Sequence, residues 1–237
     1  MTKARQLTIS NPSIGGSGYL TLAAMQADAA IHGGYHAVIH QCRGLAQAGG
    51  PLCLDVVIRE HEIEGAVSHF VDYVNGFDMS EAWRGISSAK DFRGSFPRGL
   101  TLVADFYVEL PILVTASRKG PGYLSREEFL QKFKDLIKKG YDLRVVAYNF
   151  SKHTLSTILK GAFSFGVITA DLAIRQDDRF ITLSKEAAIE GINKNVPPAK
   201  EKQASEKRLK LNRDIFERGY AAREQYPDSR DQRIILI

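Results

Sequence analysis

The sequence has few cysteines and no long apolar run. Its 237 residues include two cysteines, Cys42 and Cys53. No stretch approaches the ~20 consecutive apolar residues that a membrane-spanning helix requires. The first ten residues, MTKARQLTIS, also lack the apolar segment of a secretory signal. We therefore expect a cytoplasmic protein with no membrane contact, in which the cysteines are buried thiols rather than a disulfide.

The sequence also lacks a strong catalytic or nucleotide-binding motif. The segment IGGSGY at residues 14–19 lies between a predicted strand and a predicted helix, which is where phosphate-binding loops occur. It has neither the GK[ST] ending of a P-loop nor the spacing of a dinucleotide fingerprint, and it misses the last glycine of GxSxG. We interpret it as a flexible connection. We assign no catalytic residue and no cofactor, and we expect a protein that is not an enzyme.

Three histidines recur at a spacing of four residues, at His32, His36 and His40. On a continuous helix such a row could share a zinc ion. The pair Gly33-Gly34 is expected to break the helix between the first and the second histidine. We therefore assign no metal site.

The charge of the chain is modestly positive and unevenly distributed. The formal net charge is +5 and the sequence pI is about 9.1, while the hydrophobic and charged fractions of 44% and 25% are ordinary for a globular protein. Residues 118–144 carry eight lysines and arginines against four acidic residues. This imbalance favours a polyanionic partner, although an exposed helical face has the same composition.

Local patterns predict a chain of strands and helices. Alternation predicts a strand at 5–10, and residues 52–58 fit a buried strand or a helix start. Helical spacing predicts helices at 19–31, 35–48 and 60–75, a kinked helix at 100–114, and a helix to Lys139 opened by the capping box of Ser125 and Glu128. Residues 78–99 are predicted to be irregular. The predicted fold class is α+β and mostly α-helical, with one DNA-binding domain at 1–196 and a charged helical extension at 197–237.

Residues 143–166, LRVVAYNFSKHTLSTILKGAFSFG, predict a ribbon-helix-helix unit. A strand at 143–150 is followed by an amphipathic helix from Ser151, a helix end at Gly166 and a second helix capped by Thr169. In such units two subunits pair their strands into a ribbon that reads the major groove of DNA. This pattern predicts a homodimer, since a single ribbon strand has unpaired edges.

Two strands compete as the part that reads the bases. The central strand offers Asn149, flanked by Arg144, Lys152 and His153. The N-terminal strand offers Gln6, Thr8 and Ser10 on its outward face, and Lys3 and Arg5 precede them. Phosphate contacts are expected from the end of the 126–139 helix. The candidate DNA-binding residues are therefore Lys3, Arg5, Gln6, Thr8, Ser10, Lys138, Lys139, Arg144, Asn149, Lys152 and His153.

A winged helix is the alternative fold. Helices at 125–139 and 151–164 would then precede a hairpin formed by residues 166–169 and 179–184, with a turn at 177–178. An α+β core without any nucleic-acid role is a third interpretation of the same patterns.

The segment LTLVADFYVELPILVTASRKGPGYLSREEFLQKF at 100–133 resembles the AcaB-like family of transcriptional regulators, which is encoded on conjugative plasmids and integrating conjugative elements. The resemblance lies in an Ala-Asp-aromatic pattern, a Leu-x-Thr-Ala pattern with basic residues and a Leu-x-Arg-Glu pattern. The N-terminal RQLTIS is also similar to that family. The resemblance implies a ribbon-helix-helix protein that binds DNA, and no functional residue is carried over from it.

Together these patterns predict a sequence-specific DNA-binding regulator, an activator of conjugative-transfer genes on a mobile element, with double-stranded DNA as its partner. One alternative is an interaction or assembly factor that does not bind DNA. The other is a phosphoester- or nucleotide-processing enzyme that uses the 14–19 loop.

Overall fold

A mixed sheet forms the centre of the fold. The computed structural model describes residues 5–14, 18–43, 51–63, 70–77, 79–91, 94–105, 125–150, 159–226 and 232–237. In chain order the elements are β1 (Gln6–Ile14), α1 (Tyr19–His32), β2 (His36–Arg43), β3 (Pro51–Arg59), β4 (Tyr73–Gly76), α2 (Met79–Ala89), β5 (Leu100–Asp105), α3 (Arg126–Lys138), β6 (Leu143–Tyr148), α4 (Lys160–Arg175), α5 (Lys185–Asn195), α6 (Lys202–Glu224) and β7 (Ile234–Leu236).

The sheet of the described residues has seven strands in the order β2-β3-β1-β4-β5-β6-β7. Strand β3 is antiparallel to both β1 and β2, whereas β1, β4, β5, β6 and β7 run parallel to one another. The central strands are buried on both faces, which is why β5 reads LTLVAD and β6 reads LRVVAY without polar–apolar alternation.

Helices cover both faces of the sheet. On one face α2 and α3 pack Ile86, Phe129 and Phe133 against the sheet residues Leu102 and Val145. On the other face α1, α4, α5 and α6 enclose the larger core. Helices on both faces of a largely parallel sheet make this a three-layer, Rossmann-like α/β fold.

Helix α4 is the central helix of the larger core. Its residues from Lys160 to Leu172 are all buried, and it crosses α6 closely. A Cβ atom at Gly166 would lie 2.2 Å from the carbonyl oxygen of Phe216, and one at Gly219 would lie 2.1 Å from that of Phe163. The two helices can therefore approach this closely only with glycine at both positions.

A buried polar network fixes α4 and α6 at the edge where the parallel strands begin. The Asp171 carboxylate accepts hydrogen bonds from Tyr73 Oη at 2.8 Å and from Arg144 at 3.1 Å. Arg223, which is completely buried, donates to the same carboxylate from α6 at 2.8 Å. One carboxylate thus connects β4, β6, α4 and α6.

The predicted fold class is wrong. The larger error lies in residues 143–184, because Gly166 lies in the middle of α4 rather than at a helix end. Thr169 does not cap a helix, since its hydroxyl donates to the Phe165 carbonyl inside the same helix. Strand β6 lies inside a sheet between β5 and β7 and forms no exposed ribbon. The winged-helix hairpin is also wrong, since residues 166–169 are helical.

Other local predictions also need correction. Residues 36–43 form strand β2 instead of a helix, residues 79–89 form helix α2 instead of an irregular segment, and residues 100–105 form strand β5. The described part of 60–75 contains strand β4 and no helix. Most of the predicted segment 106–114 and the helix start at 151–158 lie outside the described residues.

The helices with strong local signals are confirmed. Helix α1 spans Tyr19–His32, and α3 spans Arg126–Lys138. Both hydrogen bonds of the capping box are present, from Glu128 N–H to Ser125 Oγ at 3.2 Å and from Ser125 N–H to the Glu128 carboxylate at 2.6 Å.

Beyond residue 197, the described helix and strand both contribute residues to the core. Helix α6 buries Ile215 and Phe216, and β7 pairs with β6. The division of the chain at residue 197 stays a prediction. Within the described residues, no helix combines the length and the apolar character needed to cross a membrane.

Candidate functional site

The parallel strands β1, β4, β5 and β6 all end at the same edge of the sheet, which we call the carboxyl edge. In open α/β sheets, ligands bind in the crevice outside the carboxyl ends of the strands. Helices α1 and α4 begin at this edge, since α1 follows β1 and α4 follows β6. A ligand-binding site is therefore expected at the carboxyl edge.

A buried ion pair lies at the carboxyl edge. Asp105 ends β5 and Lys160 begins α4, and their charged groups are 2.9 Å apart with side chains only 3% and 7% exposed. Asp105 also accepts the backbone N–H of Phe150 at 3.1 Å, and the Lys160 ammonium donates to the Phe77 carbonyl at 3.1 Å. The pair therefore connects the ends of β4, β5 and β6 to the start of α4.

A row of buried amides crosses the sheet beside this ion pair. The side-chain N–H groups of Asn11 donate to Gln26 on α1 at 2.9 Å, and those of Asn75 donate to Asn11 at 3.0 Å and to Ser164 on α4 at 3.3 Å. Because buried polar groups cost free energy unless they are paired, this row fixes α1 and α4 relative to β1 and β4.

Two helix N-termini face this edge. Helix α1 begins after Gly18, whose φ of 84° is accessible to glycine, and α4 begins after Leu159. Among the described residues neither start has a side-chain cap, in contrast to α3 and α5, which are capped by Ser125 and Ser184. Helix N-termini carry partial positive charge and attract anions.

A groove of about 370 Å³ lies between the starts of α1 and α4 and the first half of α6. Its walls are mainly apolar, and Leu211 is 45% exposed there. Arg208 donates to the Pro197 carbonyl at 3.0 Å, which holds its side chain near the groove. The lining residues are Gly18, Thr21, Leu22, Met25, Leu159, Gly161, Ala162, Val196, Pro197, Arg208, Leu211 and Asn212.

The groove combines apolar walls with a single charged side chain among its described lining residues. Its described lining includes no carboxylate, histidine or thiol, and its one charged group is the guanidinium of Arg208. Apolar walls, one arginine and two helix N-termini suit a ligand that has an apolar part and an anionic group.

The candidate DNA-binding residues lie far apart. Arg5 and Gln6 are at the amino end of β1, and Arg5 pairs with Glu60 at 2.7 Å. The predicted outward face of this strand is wrong for Thr8 and Ser10, because both are buried inside the sheet. Lys3 lies outside the described residues.

The candidates from the second half of the chain do not form one surface either. Lys138 and Lys139 are exposed at the end of α3, Arg144 pairs with the buried Asp171, and Asn149 follows β6 at the opposite, carboxyl edge. Lys152 and His153 lie outside the described residues. Neither strand presents a row of base-reading side chains.

Sequence reasoning missed Asp105 and Lys160. The available signal was an apolar run of strand length, LTLVA, that ends in a carboxylate. A buried strand of this kind is not distinguishable from a buried helix by periodicity. Because the segment was predicted to be a helix, Asp105 was not recognised as the last residue of a strand.

Comparison with known proteins gives one consistent family. The family model described as pyruvate ferredoxin/flavodoxin oxidoreductase matches residues 9–222. A comparison with curated proteins gives no significant sequence match.

Solved structures with the same fold come from the same class of enzyme. The gamma subunit of the keto/oxoacid ferredoxin oxidoreductase of Geobacter sulfurreducens matches with a TM-score of 0.57 and 18% identity over 94% of this chain and 99% of that one. The PORC subunit of the Thermotoga maritima pyruvate oxidoreductase matches with a TM-score of 0.57 and 17% identity over 92% and 96%. At these identities the likeness shows the fold.

A third structure contains the fold as part of a longer chain. The 2-oxoglutarate:ferredoxin oxidoreductase of Magnetococcus marinus, solved with 2-oxoglutarate, coenzyme A and succinyl-CoA bound, matches with a TM-score of 0.62 and 15% identity. The match covers 98% of this chain but 33% of that chain.

These matches overturn the functional prediction. The resemblance to AcaB-like regulators is wrong, because the family match covers residues 9–222 and belongs to oxidoreductases. The predicted DNA-binding activator of conjugative transfer, the DNA partner and the non-enzymatic class are wrong for the same reason. The predicted homodimer stays a prediction.

Proposed function

Since the chain belongs to the pyruvate ferredoxin/flavodoxin oxidoreductase family, we propose that it is one subunit of a multi-subunit 2-oxoacid:ferredoxin oxidoreductase. The observation that carries this proposal is the family match from β1 to α6. The likeness in fold to two solved subunits of such enzymes, a gamma subunit matched over 99% of its length and a PORC subunit matched over 96%, supports this proposal.

The cysteine content supports the need for partner subunits. Electron transfer to ferredoxin in such enzymes requires redox centres, and an iron–sulfur cluster is usually held by four cysteine thiolates. This chain has two cysteines, so its residues do not fit such a cluster. The centres that carry the electrons therefore belong to other chains of the complex, and this chain contributes binding and assembly surfaces.

The groove at the carboxyl edge is the proposed binding site for part of coenzyme A. Coenzyme A combines an apolar arm with phosphate groups and supplies the thiol that accepts the acyl group. The apolar walls around Leu22 and Met25 fit the arm, and the two helix N-termini with Arg208 fit a phosphate. The Magnetococcus protein, which binds coenzyme A, contains this fold within its chain.

Co-purification tests the subunit proposal. The tagged chain is isolated under oxygen-free conditions from its native cells, and the proteins that accompany it are identified by mass spectrometry. We expect stoichiometric partners that together contain iron–sulfur clusters, and a preparation that reduces a viologen dye when a 2-oxoacid and coenzyme A are both added. A chain that purifies alone at every ionic strength contradicts the proposal.

Steady-state kinetics of the complex tests the groove. Replacing Arg208→Gln removes a charge from the groove lining, and the loss of one charge-assisted contact raises KM for coenzyme A about tenfold. KM for the 2-oxoacid is expected to stay unchanged. Lys210→Gln is the matched control, because it makes the same charge change on α6 outside the groove lining. Equal effects of the two substitutions would reject the groove as the coenzyme A site.

A further inference from the structure

A second cavity lies at the edge of the sheet where the parallel strands begin, which we call the amino edge. It has a volume of about 170 Å³ and lies beside the first residues of β5 and β6 and the two residues that precede β7. Since a water molecule takes about 30 Å³ of liquid volume, the cavity admits a group of about five heavy atoms together with ordered water. The cavity is therefore of the right size for a small polyatomic ion and too small for a whole cofactor.

Three guanidinium groups line the cavity, and each comes from a different element. Arg144 lies on β6, Arg175 at the end of α4 and Arg233 directly before β7. The other polar side chains of the lining are those of Thr101, Asp142 and Gln232. Asp142 is the one carboxylate among these described lining residues, and it pairs with Arg233 at 2.5 Å. The lining therefore carries more positive than negative charge.

Arg175 is held in the cavity wall mainly by neutral groups. Its Nη1 donates to the Thr101 hydroxyl at 2.7 Å and to Tyr73 Oη at 3.4 Å. The Asp177 carboxylate lies 3.5 Å from Arg175 but 2.6 Å from Arg179, which is its closer partner. The Arg175 side chain is only 19% exposed. A guanidinium that is this far removed from water is stabilised when an anion comes within hydrogen-bond distance.

The acidic residues near Arg175 do not balance the arginines around them. Burial raises the pKa of Asp72 to about 7, against the opposing effects of Arg98, Arg175 and Arg179. Near neutral pH, Asp72 therefore carries only about half of a negative charge. Asp177 is the other carboxylate close to these arginines among the described residues. Three cations thus face about one and a half negative charges.

We propose that the amino-edge cavity binds a small oxyanion of the phosphate or sulfate type. Guanidinium groups bind such oxyanions through parallel N–H···O hydrogen bonds. The Thr101 hydroxyl accepts from Arg175 and keeps its own proton to donate to the ion. The exposed side chains of Gln232 and Arg233 give the cavity access to solvent, so the ion can be free or the phosphate group of a larger molecule. The proposal goes beyond the proposed function and does not depend on it.

A bound oxyanion would connect the C-terminal strand to the core. Arg233 directly precedes β7, a strand of three residues that pairs with β6. Arg144, which also contacts Asp171 at 3.1 Å, lies on β6, and Arg175 lies on the buried helix α4. Contacts from all three guanidinium groups to one ion would fix β7 against β6 and α4. Because the ion binds the folded chain, it would also raise the midpoint of thermal unfolding.

A residue-resolved NMR titration of the folded full chain with inorganic phosphate tests the proposal. At an ionic strength held constant with chloride, the amide signals of Gly99, Thr101 and Arg233 are expected to shift along one saturable curve. The expected dissociation constant is about 1 mM or lower. Gly161 in the groove is followed in the same spectra, so phosphate bound near α1 is distinguished from phosphate bound at the amino edge. The absence of a saturable shift at the amino edge would overturn the proposal.

Substitutions identify the groups that bind the ion. Arg175→Gln is expected to raise the dissociation constant at least about tenfold, because one charge-assisted contact is lost. Arg233→Gln is expected to have the same effect, and its exposed position keeps the test valid if Arg175→Gln does not fold. Lys139→Gln is the matched control, because it makes the same charge change at an exposed residue outside the lining. Its effect is expected to be less than about twofold, since salt screens exposed charges at a distance. Equal effects of Arg233→Gln and Lys139→Gln would indicate an adventitious ion only and overturn the proposal.

A nucleoside monophosphate distinguishes the two sources of the ion. If adenosine monophosphate shifts the same signals and competes with inorganic phosphate, the cavity takes the phosphate group of a larger molecule. If inorganic phosphate and sulfate bind and the nucleotide does not, the ligand is the free ion. Both results support an oxyanion site at the amino edge, and failure of all three compounds to bind there rejects it.

Discussion

At the scale of single residues, buried charges connect the elements at both edges of the sheet. Lys160 and Asp105 act at the carboxyl edge, and Asp171 with Arg223 acts at the opposite edge. Burying charge costs free energy, which such pairs recover only when their geometry is good. Removing one partner is therefore much more costly than removing both.

Replacing Lys160→Met tests the pair at the carboxyl edge. The substitution leaves the buried Asp105 carboxylate without this ammonium group, and it is expected to cost about 3–5 kcal/mol of unfolding free energy. The double variant Lys160→Met/Asp105→Leu is expected to recover most of this loss, since no isolated charge stays buried. Denaturant titration measures both values. A single variant that loses less than about 1 kcal/mol would show that the pair is not important for stability.

The buried Asp72 carboxyl group is expected to make stability depend on pH. Burial raises the pKa of Asp72 to about 7, although Arg98 lies 3.1 Å away and lowers it. Because the folded-state pKa lies above the unfolded value of about 3.9, the contribution to stability is complete at low pH and is lost as pH rises through 7.

We therefore expect the unfolding midpoint of the wild-type chain to fall between pH 5 and pH 8 by more than that of Asp72→Asn. Asparagine keeps the shape of the side chain but does not titrate in this range. Thermal or urea unfolding at several pH values gives the two slopes. Parallel slopes would show that another group causes the pH dependence.

At the scale of elements, a helix could be predicted from the sequence where its cap, its apolar face and its end signal were all present. Helix α3 has an N-cap, an apolar face at helical spacing and a terminal glycine at residue 140 within one short stretch. Helix α2 was missed because Gly85 and three serines lower its helix propensity. Gly85 is required by packing instead, since a Cβ atom there would lie 2.6 Å from Val74 Cγ1.

The capping box of α3 gives a prediction at this scale. Ser125→Ala removes the hydroxyl that accepts the Glu128 N–H, and it is expected to cost about 1 kcal/mol. Ser125→Asp, which can accept the same hydrogen bond, is expected to stay close to wild type. Chemical denaturation resolves the difference, and equal stability of the alanine and aspartate variants would contradict the role of the cap.

The crossing of α4 and α6 gives a second prediction at the scale of elements. Alanine at Gly219 would place a Cβ atom 2.1 Å from the Phe163 carbonyl oxygen. We expect Gly219→Ala to destabilise the chain by at least about 2 kcal/mol, because forced separation of the helices exceeds the gain in helix propensity. Gly161→Ala is the control, since its nearest contact would be an ordinary 3.5 Å to Leu22. The account of the crossing fails if both variants have the same stability.

At the scale of the whole molecule, sequence order alone did not predict the sheet. Strand β1 lies between β3 and β4, and the parallel neighbours β5 and β6 are separated by helix α3. Such pairings depend on tertiary contacts, and the buried strands resemble buried helices in sequence. For the same reason the residues of the carboxyl edge, which come from β1, β5 and α4, could not be grouped in advance.

The family was also misidentified from too short a stretch. The regulator resemblance depended mainly on residues 100–133, whereas the oxidoreductase family match covers residues 9–222. Short patterns of apolar and basic residues recur in unrelated folds, and a fold does not by itself determine function. Membership of the oxidoreductase family therefore replaces the regulator hypothesis.

Reconstitution of the complex tests the central claim most directly. The partner subunits are purified without this chain under oxygen-free conditions, and reduction of ferredoxin is followed with a 2-oxoacid and coenzyme A present. The account predicts little or no activity without the chain and recovery that saturates at one copy per set of partners. Full activity of the partners without this chain, or no change when it is added, would contradict its role as an oxidoreductase subunit.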